Sequence, residues 1–251
     1  MKKTPARATR EKYELYYWPT IQGRGEFIRL ALEEGGARYV DVARQKNGVP
    51  ALLALLNGPG KGARVRPFAP PILKVGRLVV AQTANILHVI APRLGLVPAD
   101  EASRVAAHQL QLTIADFLGE VHETHHPISS ALYYEDQKAA AKLRAKSFTQ
   151  TRVPKFLGYF ESVLADNKKS KGRHAVGGSL SYVDLSIFQV IEGLRYAFPK
   201  ALGRLQKTLP RMLALRDRVA ERPRIATYLA SDRRIAFNED GLFRRYPELD
   251  P

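Results

Sequence analysis

The stretch 68–87, F-A-P-P-I-L-K-V-G-R-L-V-V-A-Q-T-A-N-I-L, constrains the fold of this chain more than any other. It compresses a rigid double proline, two short strands and a helix start into one continuous segment. The aliphatic runs 72–75 and 78–80 flank Gly76, the pattern of a hairpin. Gln82 and Thr83 then open an apolar series, Ile86, Leu87, Val89 and Ile90, at helical spacing, with Thr83 placed as the N-cap. Free N–H groups and the positive end of the helix dipole converge at such a start, which makes it a seat for a carboxylate. Pro70-Pro71, immediately before a strand, is a setting in which a cis X–Pro bond is retained for a reason. Together the two anchors describe a binding site for a small peptide-like anion.

The segments on either side complete an α/β unit. Residues 13–18 alternate as a strand, with Tyr13, Leu15 and Tyr17 on one face and Tyr16 on the other, and Pro19 ends it. Phe27, Ile28, Leu30, Ala31 and Leu32 recur at helical spacing until Gly35-Gly36, and 39–42 forms a second strand. This βαβ order predicts two parallel strands joined by a right-handed crossover. A short helix over 50–56 and a basic Gly-rich loop over 58–66 lead into the hairpin, and a last helix ends near Leu94. The order β-α-β-α-β-β-α describes a thioredoxin-like domain over 13–94. After a linker at 95–98 the chain reads as helix. It has a long amphipathic run over 105–121 and apolar periodicity over 135–164, with Pro154 starting or kinking a helix. A basic loop spans 167–178, and a capping box of Ser181 and Asp184 precedes a helix with buried-type spacing. Further helices fall at 209–219 and 225–229. An all-helical domain is therefore expected over 99–230, followed by a tail over 231–251 that either covers a cleft or trails.

Composition narrows the function classes. With no cysteine among 251 residues, disulfides, thiolate metal sites and a catalytic thiol are excluded. No apolar run reaches the ~18 residues of a membrane span. The net charge of +16 is read first as a solvated basic surface, second as a footprint for nucleic acid or an anionic membrane, although no nucleic-acid motif accompanies it. A positive field also concentrates anionic substrates. The first twelve residues are basic and lack an apolar segment; they read as a disordered tail, with a short mitochondrial-type presequence as the alternative. His122, His125 and His126 lie beside Pro127 without a cysteine, so no metal site is assigned to them.

Four segments in this order resemble the cytosolic glutathione S-transferases: Y-Y-W-P…G-R at 16–24, A-P-P-I-L-K-V-G-R-L-V-V-A-Q-T-A-N-I-L at 69–87, G-L at 95–96 and V-G-G-S-L-S-Y-V-D-L at 176–185. The likeness is to the tyrosine-type branch (sigma, pi and mu). It implies a thioredoxin-like N-terminal domain followed by an all-α domain, glutathione as co-substrate, a homodimer and a cytoplasmic location. Tyr17 stands where that branch keeps its catalytic tyrosine. Gln82 and Thr83 match the pair that holds the γ-glutamyl carboxylate, and Pro71 matches the family's cis-proline. Arg24 matches the arginine near the first helix, in a loop that reads one residue longer than in the pi class. Pro70 departs from the pattern: the residue here normally pairs with the cysteinyl part of glutathione through both backbone groups, and proline has no N–H. The family's aspartate in the first long helix of the second domain is not matched either; His108, Gln109 and Gln111 stand there.

The resemblance implies conjugation of the glutathione thiolate to small hydrophobic electrophiles, bound between the domains by Trp18, the helix over 109–116 and the aromatic tail. A phenolic O–H directed at sulfur stabilises the thiolate; worth ~2 kcal/mol, it raises the thiolate fraction more than tenfold. Two alternatives stand beside this: a related binding or assembly module with little turnover, and a glutathione-dependent isomerase.

Overall fold

A computed structural model describes residues 11–57 and 64–251. Most of the basic tail expected over 1–12, and 58–63 of the Gly-rich loop, lie outside the described residues. The strand β1 (Tyr13–Tyr16) is followed by the helix α1 (Gly25–Glu34) and then β2 (Tyr39–Asp41), which pairs parallel to β1 as the βαβ order requires. A tight turn at Val42–Arg44 leads into α2 (Gly48–Asn57). The strands β3 (Ile72–Val75) and β4 (Leu78–Ala81) form the expected hairpin, and α3 (Thr83–Leu94) closes the unit. The sheet order is β2-β1-β3-β4, with β1 antiparallel to β3. Strand alternation divides β1 between two layers. Tyr13 and Leu15 pack with Phe27, Ile28, Leu87 and Ile90 of α1 and α3, whereas Tyr16 packs with Ala43, Leu52 and Ile72 on the α2 side.

The regular elements in the rest of the described chain are helices. It runs through α4 (Glu101–Glu123), α5 (Lys138–Ser147), α6 (Val153–Asp166), α7 (Tyr182–Ala197), α8 (Pro199–Leu205), α9 (Pro210–Ala220) and α10 (Pro223–Leu229). The run anticipated over 135–164 is interrupted by a wide π turn at Phe148–Arg152. Pro154 cannot donate to the carbonyl four residues earlier, so the ladder opens just before it. Ser181 and Asp184 form the expected capping box: the Ser181 N–H donates to Asp184 Oδ2 at 2.7 Å, and its hydroxyl to the same oxygen at 2.9 Å. Nearly all of α7 is buried, as its spacing foretold. The sheet unit and the helices share one continuous apolar cluster, which includes Leu15, Ile90, Phe117, Phe188 and Phe243.

A buried cation ties these parts together. Arg29 on α1 is fully buried. Its Nε donates to Asp41 Oδ2 on β2 at 2.7 Å, and its Nη1 reaches Glu26 Oε2 and the Gln22 carbonyl, both at 3.3 Å. Glu26 Oε1 accepts from the Tyr228 hydroxyl of α10 at 2.8 Å and pairs with Arg234 beyond it. Arg234 continues to Gln189 Oε1 on α7 at 3.1 Å, and Gln189 Nε2 donates to Gln22 Oε1 at 2.8 Å. Burial opposes the Arg29 charge, but the Glu26 and Asp41 carboxylates outweigh it and hold its pKa above the ordinary value. Removing one member of such a set leaves buried charges uncompensated. Arg29→Ala is expected to destabilise the chain by about 3–5 kcal/mol in urea denaturation, and Arg29→Lys to recover only part, because an ammonium cannot fork between two carboxylates.

Candidate active site

Strand register assembles the site. Tyr16 pairs with Ile72, and Ile72 pairs with Ala81, so these three residues form one row across β1, β3 and β4. Because β3 runs opposite to its neighbours, the next residues outward are Tyr17, Pro71 and Gln82. All three therefore lie at the same end of the sheet. The Pro70-Pro71 bond is cis, as the sequence context indicates.

Tyr17 stands against the start of α1. It is 5% exposed, and its hydroxyl oxygen accepts the Arg24 N–H at 2.8 Å. The glycines on either side of Arg24 make the contact possible: a Cβ at Gly23 would overlap the Tyr17 hydroxyl, and one at Gly25 would come to 2.6 Å from the ring. Burial pushes the phenol pKa up. The Arg24 N–H and charge, the Arg29 charge and the Gly25 N–H oppose that rise without cancelling it. Tyr17 is therefore protonated at neutral pH. Its oxygen already accepts hydrogen bonds, and its own proton goes to no acceptor among the described residues.

Arg24 also connects Tyr17 to the second anchor, because its carbonyl accepts from the Thr83 hydroxyl at 3.5 Å. The starts of α1 and α3 thus meet across a single residue. Thr83 is the first residue of α3 and not its cap; the cap is Gln82, exposed and at φ 70°, ψ 122°. A non-glycine residue in that region carries roughly 1–3 kcal/mol of strain and persists only where its surroundings impose it. Here β4 must turn directly into α3 beside the double proline. The Arg24 guanidinium is half-buried and forms no ion pair among the described residues.

Two features that the sequence left open are placed in the surroundings by the structure. The first is the tail, which lies across the loop between β1 and α1. Asn238 Nδ2 donates to the Thr20 carbonyl at 2.8 Å and Gln22 Nε2 to the Ile235 carbonyl at 2.5 Å, while Leu242 and Phe243 are buried. The second is the histidine cluster at the end of α4. His125 Nε2 meets the Leu242 carbonyl at 3.0 Å, so that nitrogen carries the proton. His125 Nδ1 is then the acceptor for His126 Nδ1, 2.5 Å away. His122 stacks on His126 with ring centres 5.0 Å apart. No group of metal-holding side chains occurs among the described residues. Burial, then His126, Arg24 and Arg244, push His122 down to about 4, so the end of α4 lies within the field of the site. Along the helix before it, Gln111 and Ile114 turn into the helical core, and Gln111 Oε1 accepts from the Ser186 hydroxyl at 2.7 Å. Trp18 is 37% exposed.

A sheet end with a protonated tyrosine, a cis-proline and a helix start, backed by a helical half, is the two-part architecture that the resemblance implies. Comparison with known proteins agrees. Residues 122–232 match the family model described as "Glutathione S-transferase, C-terminal domain". The chain is 25% identical over 221 residues to a glutathione S-transferase of Plasmodium falciparum, covering 86% of this chain and 94% of that one. It is 25% identical to glutathione S-transferase P 1 of Xenopus laevis, covering 88% and 93%. It is also 23% identical to the hematopoietic prostaglandin D synthase of Gallus gallus, covering 86% and 94%. Among solved structures, the pi-class glutathione S-transferase of Onchocerca volvulus superposes with a TM-score of 0.66 at 20% identity, over 86% of this chain and 91% of that one. The chain is thus similar to glutathione S-transferases over most of its length, and residues 122–232 match that family's C-terminal domain.

The histidines carry a pH prediction. Burial first, and then the Arg244, His122 and His126 charges, hold His125 down to about 3 despite its bond to Leu242. The unfolded chain takes up the proton near 6.5 while the folded one refuses it. Stability is therefore complete above pH 6.5 and is lost progressively as pH falls toward 3. His125→Gln keeps a donor for the Leu242 carbonyl and does not titrate; its midpoint of urea denaturation is expected to change less with pH across this window than that of the wild type.

Proposed function

We propose that the protein is a tyrosine-type glutathione transferase in which Tyr17 activates the thiol of glutathione for attack on small hydrophobic electrophiles. The observation that carries this reading is the Tyr17 hydroxyl, buried, protonated and with its proton uncommitted, in line with Pro71 and Gln82 at one sheet end. Glutathione would lie along that row. Its γ-glutamyl carboxylate would take the N–H groups at the start of α3 with Gln82 and the Thr83 hydroxyl, where the dipole favours an anion. Its cysteinyl N–H would go to the Pro70 carbonyl. The Tyr17 O–H would donate to sulfur as the thiol gives up its proton to solvent, and the Arg24 and Gly25 N–H groups on the phenolic oxygen strengthen that donor. Arg24 and Arg29 add positive potential around the developing thiolate.

Trp18, the end of α4 and the tail would border the electrophile. Glutathione-dependent isomerisation is a second reading of the same thiolate, favoured by the likeness to proteins named prostaglandin D synthase. The uncovered apolar side chains Phe68 (94% exposed) and Val65 (81%) support a homodimer joined beside β4.

Tyr17→Phe is expected to lower kcat/KM for a generic aryl electrophile by roughly 10- to 100-fold, with the pKa of bound glutathione rising by about 1–2 units in thiolate absorbance. Unchanged turnover would move thiol activation to another group; retention on immobilised glutathione without any wild-type turnover would make the protein a binding module. Pro70→Ala supplies the missing backbone donor. It is expected to tighten glutathione about fivefold in calorimetry, the worth of one neutral hydrogen bond.

A further inference from the structure

A second concave site, sharing no residue with the row of Tyr17, lies on the helical side. Its cavity of about 360 Å³ is lined by Arg173 and His174 from the loop after α6, Arg218 from the last turn of α9, and Arg222 between α9 and α10. Leu215 and Val219 supply apolar wall. The Arg218 guanidinium donates to the Arg173 carbonyl at 2.8 Å, which fixes one arginine against the backbone of the other. Neither Arg173 nor Arg218 forms an ion pair among the described residues.

The neighbouring carboxylates are already engaged. Asp184 is buried and accepts from the Ala175 N–H at 2.7 Å and from both Ser181 donors. Asp217 pairs with Arg216 at 2.7 Å, and Glu34 pairs with Arg222. Glu221 lies exposed on the rim. Burial, and then the Arg173 charge, lower the Arg218 pKa in spite of Asp184 and Asp217, as unrelieved crowding of like charges should. Two nitrogens in this lining, His174 Nδ1 and Arg222 Nε, are buried without a hydrogen-bond partner. His174 Nδ1 stands 3.7 Å from Asp184 Oδ2, beyond hydrogen-bond reach.

Clustered guanidiniums with orphaned nitrogens lack an acceptor, and the acceptor that suits a guanidinium fork is a tetrahedral oxyanion. The cavity is much larger than a bare phosphate, which fills the space of a few waters at ~30 Å³ each. We propose that this site binds a phosphate monoester, with the phosphate held by Arg173, Arg218 and His174 and the organic body resting on Leu215 and Val219. This assignment does not depend on the glutathione reading.

The test is calorimetric titration of the full chain with phenyl phosphate, inorganic phosphate and phenol. Phenyl phosphate is expected to bind at one site per chain, more tightly than inorganic phosphate, and phenol not at all. Its affinity should fall as salt rises, and should drop at least about tenfold in Arg173→Gln and in Arg218→Gln, the loss of one charge-assisted contact. Arg195→Gln, an exposed arginine paired only with Glu192, is expected to bind as wild type. Arg218→Gln also gives up its bond to the Arg173 carbonyl, so Arg173→Gln is the cleaner variant if the first folds poorly. In the wild type, phenyl phosphate should raise the His174 pKa in an NMR titration, because an adjacent anion favours the imidazolium. Absence of phenyl phosphate binding, or wild-type affinity in both variants, overturns the proposal. Inorganic phosphate binding as tightly as phenyl phosphate overturns the monoester assignment. Conjugation of glutathione, measured separately, is expected to be unchanged in all three variants, so a failure at this site is distinguishable from a failure at Tyr17.

Discussion

The structure depends on one buried positive charge. Arg29 sits where α1, β2 and the loop after β1 meet, and through Glu26 it reaches α10, Arg234 and α7. A guanidinium in that position is tolerable only because its carboxylate partners are buried with it and are themselves hydrogen-bonded. The network links elements that are far apart in sequence, since Glu26 and Tyr228 are separated by 202 residues. It also holds the start of α1, from which the Arg24 and Gly25 N–H groups meet the Tyr17 oxygen. Packing of the two halves and the setting of the tyrosine are thus consequences of the same ion network.

At the site, each part constrains the next. A phenol in bulk water is an indifferent donor to a thiol, because water competes for both groups. Burial shields the Tyr17 hydroxyl from water and raises its pKa, and the amides at its oxygen polarise it without consuming its proton. Strand register then sets the distance between this donor and the α3 start, and Arg24 joins them through its own backbone. The basic surface adds a field that gathers anions. Part of it is organised into clusters, such as Arg173 with Arg218, where an ordinary solvated surface would keep like charges apart.

Much of this was legible in the residues. The hairpin about Gly76, the parallel β1–β2 pair and the Ser181–Asp184 box all follow from local rules of turn chemistry, periodicity and capping, while the cis bond at Pro71 was implied by the family resemblance. Thr83 shows the limit of such rules. A hydroxyl residue before an apolar series reads as a cap, but the chain turns one residue earlier, at Gln82, whose positive φ no local rule signals. The helix α8 carried only a weak local signal, Pro199 at its first position. Its first amides are capped by Asp250, through bonds from Lys200 at 2.7 Å and Ala201 at 2.9 Å. That cap comes from the far end of the chain.

By itself the sequence determined which segments would be strand or helix and which faces would be buried, because those properties depend on neighbours within a few positions. It also determined that Pro70 would lack a donor, since that is covalent. The tertiary structure decided the rest. It raised the Tyr17 pKa above that of a free phenol and lowered that of His125, shifts that depend on burial and on charges brought from other elements. It laid the tail across the loop after β1 and gathered arginines from α9 and the loop after α6 around one cavity. Electrostatic environment is a sum over neighbours in space, and only the folded chain specifies who those neighbours are.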